Sequence, residues 1–228
     1  MDDYNVDDFN EETEEDQESN TLKEEFGTFD DAYDASQAAK GSDTPENEFD
    51  DSYDASQATE GSDTYEENGH KYYLDSNGEI YRVDDVLMDN MSYDLNGYHY
   101  ATDNEGRITD VEGKLHLRDR DRLTIKDKIY DIGLGDELET DDRGHIIADL
   151  LDGPNGLENL VAQDFSINRG EYKQFESELA DLVKNDNDVY AQYRIVYPDG
   201  SFRPESIVVE YSVNGEDFER TFTNCNNK

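Results

Sequence analysis

The chain has 228 residues, only 33% of them hydrophobic, and its 60 Asp and Glu against 19 Lys and Arg give a formal net charge of −41. That balance argues against one compact domain running from end to end. No apolar run approaches the roughly 18 residues of a membrane span, and one cysteine, Cys225, excludes an internal disulfide framework or a Cys-rich zinc site.

The acidity is concentrated at the start. Residues 1–70 hold 25 acids and 2 lysines, whereas residues 71–228 hold 35 acids and 17 basic residues, so only the second part has the material for a core. Within the first part "FDDAYDASQAAKGSDTPENE" (29–48) is followed directly by "FDDSYDASQATEGSDTYEEN" (49–68), a period of 20 residues with 14 identities. Repeats with one Phe and one or two Tyr each bury too little apolar surface to offset chain entropy. Residues 1–69 are therefore expected to be a disordered acidic arm, and residues 70–228 the folded domain. Sharper readings make the arm a polyanion lying on the protein's own basic face, a docking segment, or a surface suited to high salt. Met1 is followed by acids rather than by a basic and apolar stretch, so no classical secretion signal is expected.

From about residue 70 short β segments alternate with turn signals. "KYYLDSNGEIYRVD" (71–84) and "YHYATDNEGRITDVEGKL" (98–115) place Asp/Asn/Gly clusters between aromatic and β-branched runs, the pattern of hairpins. Such clusters also occur in calcium loops, but an EF-hand requires an acid five residues before its Gly. Tyr73 and Ala101 stand there instead, so both clusters read as turns. "KLHLRDRDRLTIKDK" (114–128) then gathers six basic residues against three Asp, opposite in sign to its surroundings. "DDRGHIIADLL" (141–151) sets His145 between a charged turn and an apolar run, and "IIADLL" is expected to be a β segment. In "SINRGEYKQFESELADLVKND" (166–186), Tyr172, Phe175, Leu179, Leu182 and Val183 recur at spacings of three and four. This predicts one amphipathic helix, N-capped by Ser166 and opening near Asn168. Asn168, Tyr172 and Glu176 would then share a face, drifting about 80° over two turns. "VYAQYRIVY", "SIVVEYSV" and "FERTFTN", separated by "PDGSFRPE" and "NGED", predict an antiparallel meander.

The stretch 141–178 resembles the core of the DNA/RNA non-specific endonucleases of the ββα-metal (His-Me finger) superfamily, and within it the branch found as C-terminal toxin domains of bacterial polymorphic toxins. The Asp-Arg-Gly-His motif stands as Asp142, Arg143, Gly144 and His145; "DGPNG" resembles the glycine-proline turn; "NLVAQ" carries Asn159 and Gln163; Asn168, Gly170 and Glu176 complete the last element. Ala162 departs from the usual Pro. The likeness runs from about residue 98 to 224. It implies an α+β fold, an antiparallel sheet domain with a ββα-metal core, and metal-dependent, sequence-non-specific cleavage of DNA and also RNA by a secreted, monomeric bacterial toxin or nuclease. A cognate immunity protein and delivery into target cells are implied with it.

Phosphodiester hydrolysis needs a base for water, a cation against phosphate charge, and stabilisation of the departing 3′ oxygen. A neutral imidazole with pKa near 6.5 suits the first task, so His145 is the candidate general base. The amide oxygen of Asn168 is a hard donor suited to Mg²⁺, with Mn²⁺ as a substitute, and the resemblance makes it the sole direct ligand. Glu176 would hydrogen-bond waters around the metal. Arg143 would grip the scissile phosphate, with Asp142 completing the catalytic group. Arg169, Lys173, Arg118, Arg120, Arg122, Asn159 and Gln163 are the expected substrate contacts. His70, His99 and His116 lie apart in β-rich segments and are expected to be structural.

Each assignment has a plainer alternative: His145 as a turn cap, Asn168 as a helix starter, Glu176 as a solvated helix charge. The acidity also opposes binding of a polyanion at long range, although screening over roughly 8 Å confines that penalty. Binding is therefore expected to be weak and further weakened by salt. Two other classes remain open: a nuclease-fold binding protein that has lost catalysis, and an acidic nucleic-acid mimic or inhibitor. The second would have no use for His145, Asn168 and Glu176 in register.

Overall fold

The computed structural model describes residues 63–122 and 124–225. Three antiparallel sheets and a few helices make up this part. A four-stranded sheet runs in the order β1 (Asp63–Glu67), β2 (His70–Leu74), β3 (Ile80–Val83), β4 (Val86–Leu87). Next come β5 (Ser92–Leu95), β6 (Tyr98–Thr102) and β7 (Ile108–Lys114), then a short helix α1 (Ile129–Gly133). A two-stranded ribbon of β8 (Asp141–His145) and β9 (Leu160–Asp164) follows, and then α2 (Phe165–Asn168) and α3 (Glu171–Lys184). The chain closes with β10 (Val189–Val196), β11 (Ser206–Val213) and β12 (Glu216–Thr223).

Both expected hairpins form, β2–β3 and β6–β7, and their turns are built alike. Asp75 accepts the amides of Asn77 and Glu79 at 2.8 and 2.9 Å, and Asp103 accepts those of Glu105 and Arg107 at 2.9 and 3.0 Å. Carboxylates engaged by backbone N–H groups in this way are closing turns. The C-terminal meander also forms. Asn214 and Gly215 join β11 to β12 with φ of +53° and +86°, the left-handed pair that a tight hairpin requires. Beyond the sequence expectation, β7 pairs with β10, which fuses the early hairpins and the meander into one six-stranded sheet, β12-β11-β10-β7-β6-β5.

Alternation along β10 turns Val189, Ala191, Tyr193 and Ile195 into the core. Tyr81, Tyr93, Tyr98, Tyr100 and Tyr172 join them, fully buried. A phenol buried in this way needs a partner for its hydroxyl, and three find one on the segment that follows His145. Tyr172 donates to the Ile146 carbonyl at 2.8 Å, Tyr98 to Leu151 at 2.6 Å, and Tyr93 to Glu158 at 3.3 Å. The tyrosine core thus fixes the backbone around the histidine.

Four expectations need correction. Asp63–Glu67, the end of the second repeat, is a strand paired with His70–Leu74, so the folded domain begins inside the repeat rather than at residue 70; residues 1–62 of the proposed arm lie outside the described residues. "IIADLL" is not a strand: β8 is the charged "DDRGH" itself, and the apolar residues after it run through a loop into a 3-10 turn, Asp149–Leu151. The single helix over 166–186 is two, broken at Arg169–Gly170, so Asn168 ends α2 and does not share a helix with Glu176. The cap is Asp164, which accepts the Ser166 amide at 2.9 Å; a carboxylate two residues earlier takes the place expected of Ser166.

Candidate active site

The ribbon sets up the site. β8 and β9 pair with Asp142 opposite Gln163 and His145 opposite Leu160, and α2 packs on both strands, giving a β-β-α unit. The unit is locked to the large sheet from beneath. Arg203 forms a fork with Asp141, 2.7 and 2.9 Å, and its other nitrogen donates to the Asn224 carbonyl. The buried Asn224 side chain accepts the Asp164 amide at 2.7 Å and donates to Ala162 and Pro204. Gly144 is required by packing: a Cβ there would collide with the Gln163 side chain across the ribbon.

His145 ends β8 half-buried. Its Nε2 lies 2.8 Å from Oδ1 of Asn155, whose amide nitrogen donates to Asp149 at 2.9 Å. Asp149 is buried and ion-paired with Arg118 and Arg120. Burial pushes the imidazole pKa below its ordinary value; the bond to Asn155 opposes this, and the charges of Arg122, Arg120 and Arg143 add to the lowering. The ring is therefore held neutral at pH 7, the form that can take up a proton.

A second group gathers around Asp142. It accepts from Arg169 Nε at 2.6 Å and from Asn168 Nδ2 at 3.1 Å, and the Arg169 bond, more than any other cause, lowers its pKa. With its nitrogen so engaged, the Asn168 amide oxygen has no donor among the described residues. Glu176 sits one turn beyond Tyr172, whose hydroxyl reaches the residue after His145. Burial pushes its carboxyl up from 4.5 to about 8, and only Lys173 pulls the other way. No hydrogen bond reaches Glu176 among the described residues. An amide oxygen and an under-compensated carboxylate are hard oxygen donors that suit a divalent cation.

The remaining expected contacts separate. Arg122 and Lys173 are exposed, and Arg169 is exposed while paired to Asp142. Arg143 is exposed, but one guanidinium nitrogen is spent on the Asp127 carbonyl at 2.9 Å. That loop is held from its other side by buried Arg82, which pairs with Asp127 and Glu158. Asn159 and Gln163 cannot reach a substrate, since both are fully buried. Asn159 clips the loop instead, accepting the Ile147 amide at 2.9 Å and donating to the carbonyls of Ile147 and Pro154 at 2.8 and 2.9 Å. Arg118 and Arg120 are likewise withdrawn; Arg120 is spent on Asp149, Asp152 and the Gly153 carbonyl. The other histidines pair with carboxylates away from the ribbon, His70 with Asp84 and His99 with Asp94, while His116 stacks on Tyr98.

Asn155, Asp149, Arg203 and Asn224 were not singled out by sequence reasoning. Asn155 lay in plain view inside "DGPNG", but an Asn between Pro and Gly carries the ordinary signature of a turn.

Comparison with known proteins gives the family. The family model for DNA/RNA non-specific endonuclease matches residues 89–215. A probable deoxyribonuclease RhsA of Dickeya dadantii is 36% identical over 87 residues, 38% of this chain and 6% of that protein. The type VII secretion system protein EssD of Staphylococcus aureus is 32% identical over 154 residues, 65% of this chain and 20% of that protein. The chain thus spans a fifth or less of these relatives' lengths. Among solved structures the Sda1 nuclease with bound zinc ion superposes with a TM-score of 0.43 at 17% identity, covering 57% of this chain and 75% of that one. With its family match spanning more than half of its length, the chain belongs to the DNA/RNA non-specific endonuclease family.

Proposed function

We propose that the protein is a metal-dependent endonuclease that hydrolyses phosphodiester bonds of DNA, and also of RNA, without reading base sequence. The observation that carries this is His145: a neutral, desolvated imidazole at the end of β8, oriented by Asn155 and beside the cationic Arg122 and Arg143. In that setting the imidazole takes the proton of the attacking water. Asn168 would hold the cation through its amide oxygen, and Glu176 would face the waters around it. Mg²⁺ is the proposed ion, with Mn²⁺ as a substitute, and when bound it supplies positive charge against the phosphate and the departing oxygen. Asp142 keeps Asn168 and Arg169 in place through three hydrogen bonds, one from Asn168 and two from Arg169. Arg143, with the guanidinium nitrogens that Asp127 leaves over, would contact the scissile phosphate, and Arg122, Arg169 and Lys173 the flanking phosphates. Contacts of this kind position a backbone and carry no sequence information.

We further propose that it is a secreted or delivered toxin, working as a monomer and met by a cognate immunity protein; the naming of one relative as a secretion-system protein supports the export, and that of another as a deoxyribonuclease supports the cleavage of DNA. The test is cleavage of plasmid DNA and of RNA with Mg²⁺ or with EDTA. Metal-dependent loss of both substrates supports the reading, and intact substrates under all conditions defeat it.

A further inference from the structure

Arg143 and His145 stand two residues apart on β8, so their side chains leave the same face of the ribbon. Arg143 Nη1 donates to the main-chain carbonyls of Asp127 at 2.9 Å and of Ile125 at 3.4 Å. No described residue takes a hydrogen bond from its Nε or Nη2, the two nitrogens whose N–H groups form the parallel fork that fits phosphate oxygens. Two carbonyls thus hold one corner of the guanidinium and leave the fork open. Their own placement needs a cause, because residues 124–128 belong to neither helix nor strand and backbone pairing does not fix them. A side chain does. Arg82, on β3, is 4% exposed and reaches Asp127 at 3.1 Å, Asp85 at 3.2 Å and Glu158 at 3.3 Å. Its Nε donates to the Asp84 carbonyl at 2.6 Å, and its guanidinium lies 4.4 Å from the centre of the Tyr73 ring. A buried cation with every edge engaged has one arrangement open to it, and Asp127 is held to that arrangement.

We propose that Arg82 is a positioning residue for cleavage: through the Asp127 side chain it holds the carbonyls on which Arg143 rests, and so keeps the Arg143 fork turned toward the scissile phosphate. This rests on the endonuclease reading given above. Arg82 precedes residues 89–215, the stretch that matches the family model. It belongs to the four-stranded sheet whose first strand is the end of the second repeat. That sheet therefore serves the site as well as covering the core, and a buried arginine is its point of action.

The test joins a double-mutant cycle on plasmid cleavage in Mg²⁺ to guanidinium NMR. Asp127→Ala removes the carboxylate that Arg82 grips, keeps the main-chain carbonyl, and leaves Arg82 paired with Glu158 and Asp85. It should lower kcat about 10- to 100-fold, as should Arg82→Met, because each lets the Arg143 fork drift. In an Arg143→Ala background neither change should cost more than about 2-fold, since no guanidinium is left to place. A loss that persists undiminished in that background overturns the proposal, as does an Asp127→Ala enzyme that cleaves like the wild type. In ¹⁵N-arginine-labelled protein, with the Arg143 signals assigned by their loss in Arg143→Ala, the wild type should show two separate Nη signals and Asp127→Ala one averaged signal. Averaged Nη signals in the wild type also overturn the proposal, and this reading needs no cleavage, so it decides the matter if Arg82→Met does not fold. A wild type with separate Nη signals and no nuclease activity would sink the endonuclease reading while leaving the contact between Arg82, Asp127 and Arg143 standing.

Discussion

Replacing Glu176 with Gln should make the protein more stable, and increasingly so as pH rises. Burial lifts this carboxyl from 4.5 to about 8, with Lys173 the one charge that opposes it. The folded state therefore keeps a proton that the unfolded chain releases anywhere between those values. Fewer protons are bound by the unfolded state across that window, so stability is fully present below pH 4.5 and is lost as pH climbs through 8. At about 1.36 kcal/mol per pKa unit the cost at pH 7 has an upper value of about 3 kcal/mol. Relaxation and water entry reduce it to about 1–2 kcal/mol. A neutral amide of the same shape removes that cost. For a domain of this size each kcal/mol moves the melting temperature by about 2–4 °C, so the variant should melt about 2–8 °C higher at pH 7. The assay is thermal unfolding in EDTA at pH 5, 6, 7 and 8: the two proteins should nearly coincide at pH 5 and diverge above it. Adding Mg²⁺ should raise the wild type more than the variant, because only the wild type has a carboxylate for the cation. A gap independent of pH, or a variant less stable than wild type at pH 8 in EDTA, would show that Glu176 is not the under-compensated carboxylate described here.

Asn159→Ala strands the Ile147 amide and the carbonyls of Ile147 and Pro154 in a dry loop. At about 1–3 kcal/mol for each unsatisfied group, a loss of at least about 3 kcal/mol is expected, with a fall in melting temperature of about 6 °C or more; a shift under 2 °C would refute the clip. Deleting residues 1–62 removes 22 acids and 2 lysines without cutting into β1. Cleavage should speed up at low ionic strength and converge with the full chain at high salt, as screening removes the difference. Equal rates and equal salt dependence for the two would end the idea that the acidic segment opposes substrate.

Local signals told most of the fold. Turn chemistry at Asp75, Asp103 and Asn214-Gly215 was legible because each depends on residues within four positions. The pairing of β7 with β10 was not, since it joins segments some 80 residues apart through backbone bonds that leave no mark on composition. The helix break was half visible: Gly170 stood in the sequence, but an apolar stripe that continued past it outweighed one glycine. His145, Asn168 and Glu176 were singled out by their resemblance to the family's motif, and the one helix face expected for the last two is broken at Arg169–Gly170. Asn159, Gln163, Arg118 and Arg120 were misread because a polar side chain near a motif looks the same whether it faces a ligand or a buried carbonyl. Only burial separates the two, and burial belongs to the fold.

The central claim is that His145 is the base of a metal-dependent nuclease, and the most direct measurement is plasmid cleavage by wild type and His145→Ala in Mg²⁺ and in EDTA. Wild type should nick and linearise the plasmid in Mg²⁺ alone. Under the same conditions His145→Ala, still folded by its melting curve, should cut about 100- to 10,000-fold more slowly, the usual contribution of a positioned general base. Cleavage by His145→Ala at the wild-type rate, or wild-type cleavage that persists in EDTA, would contradict the account.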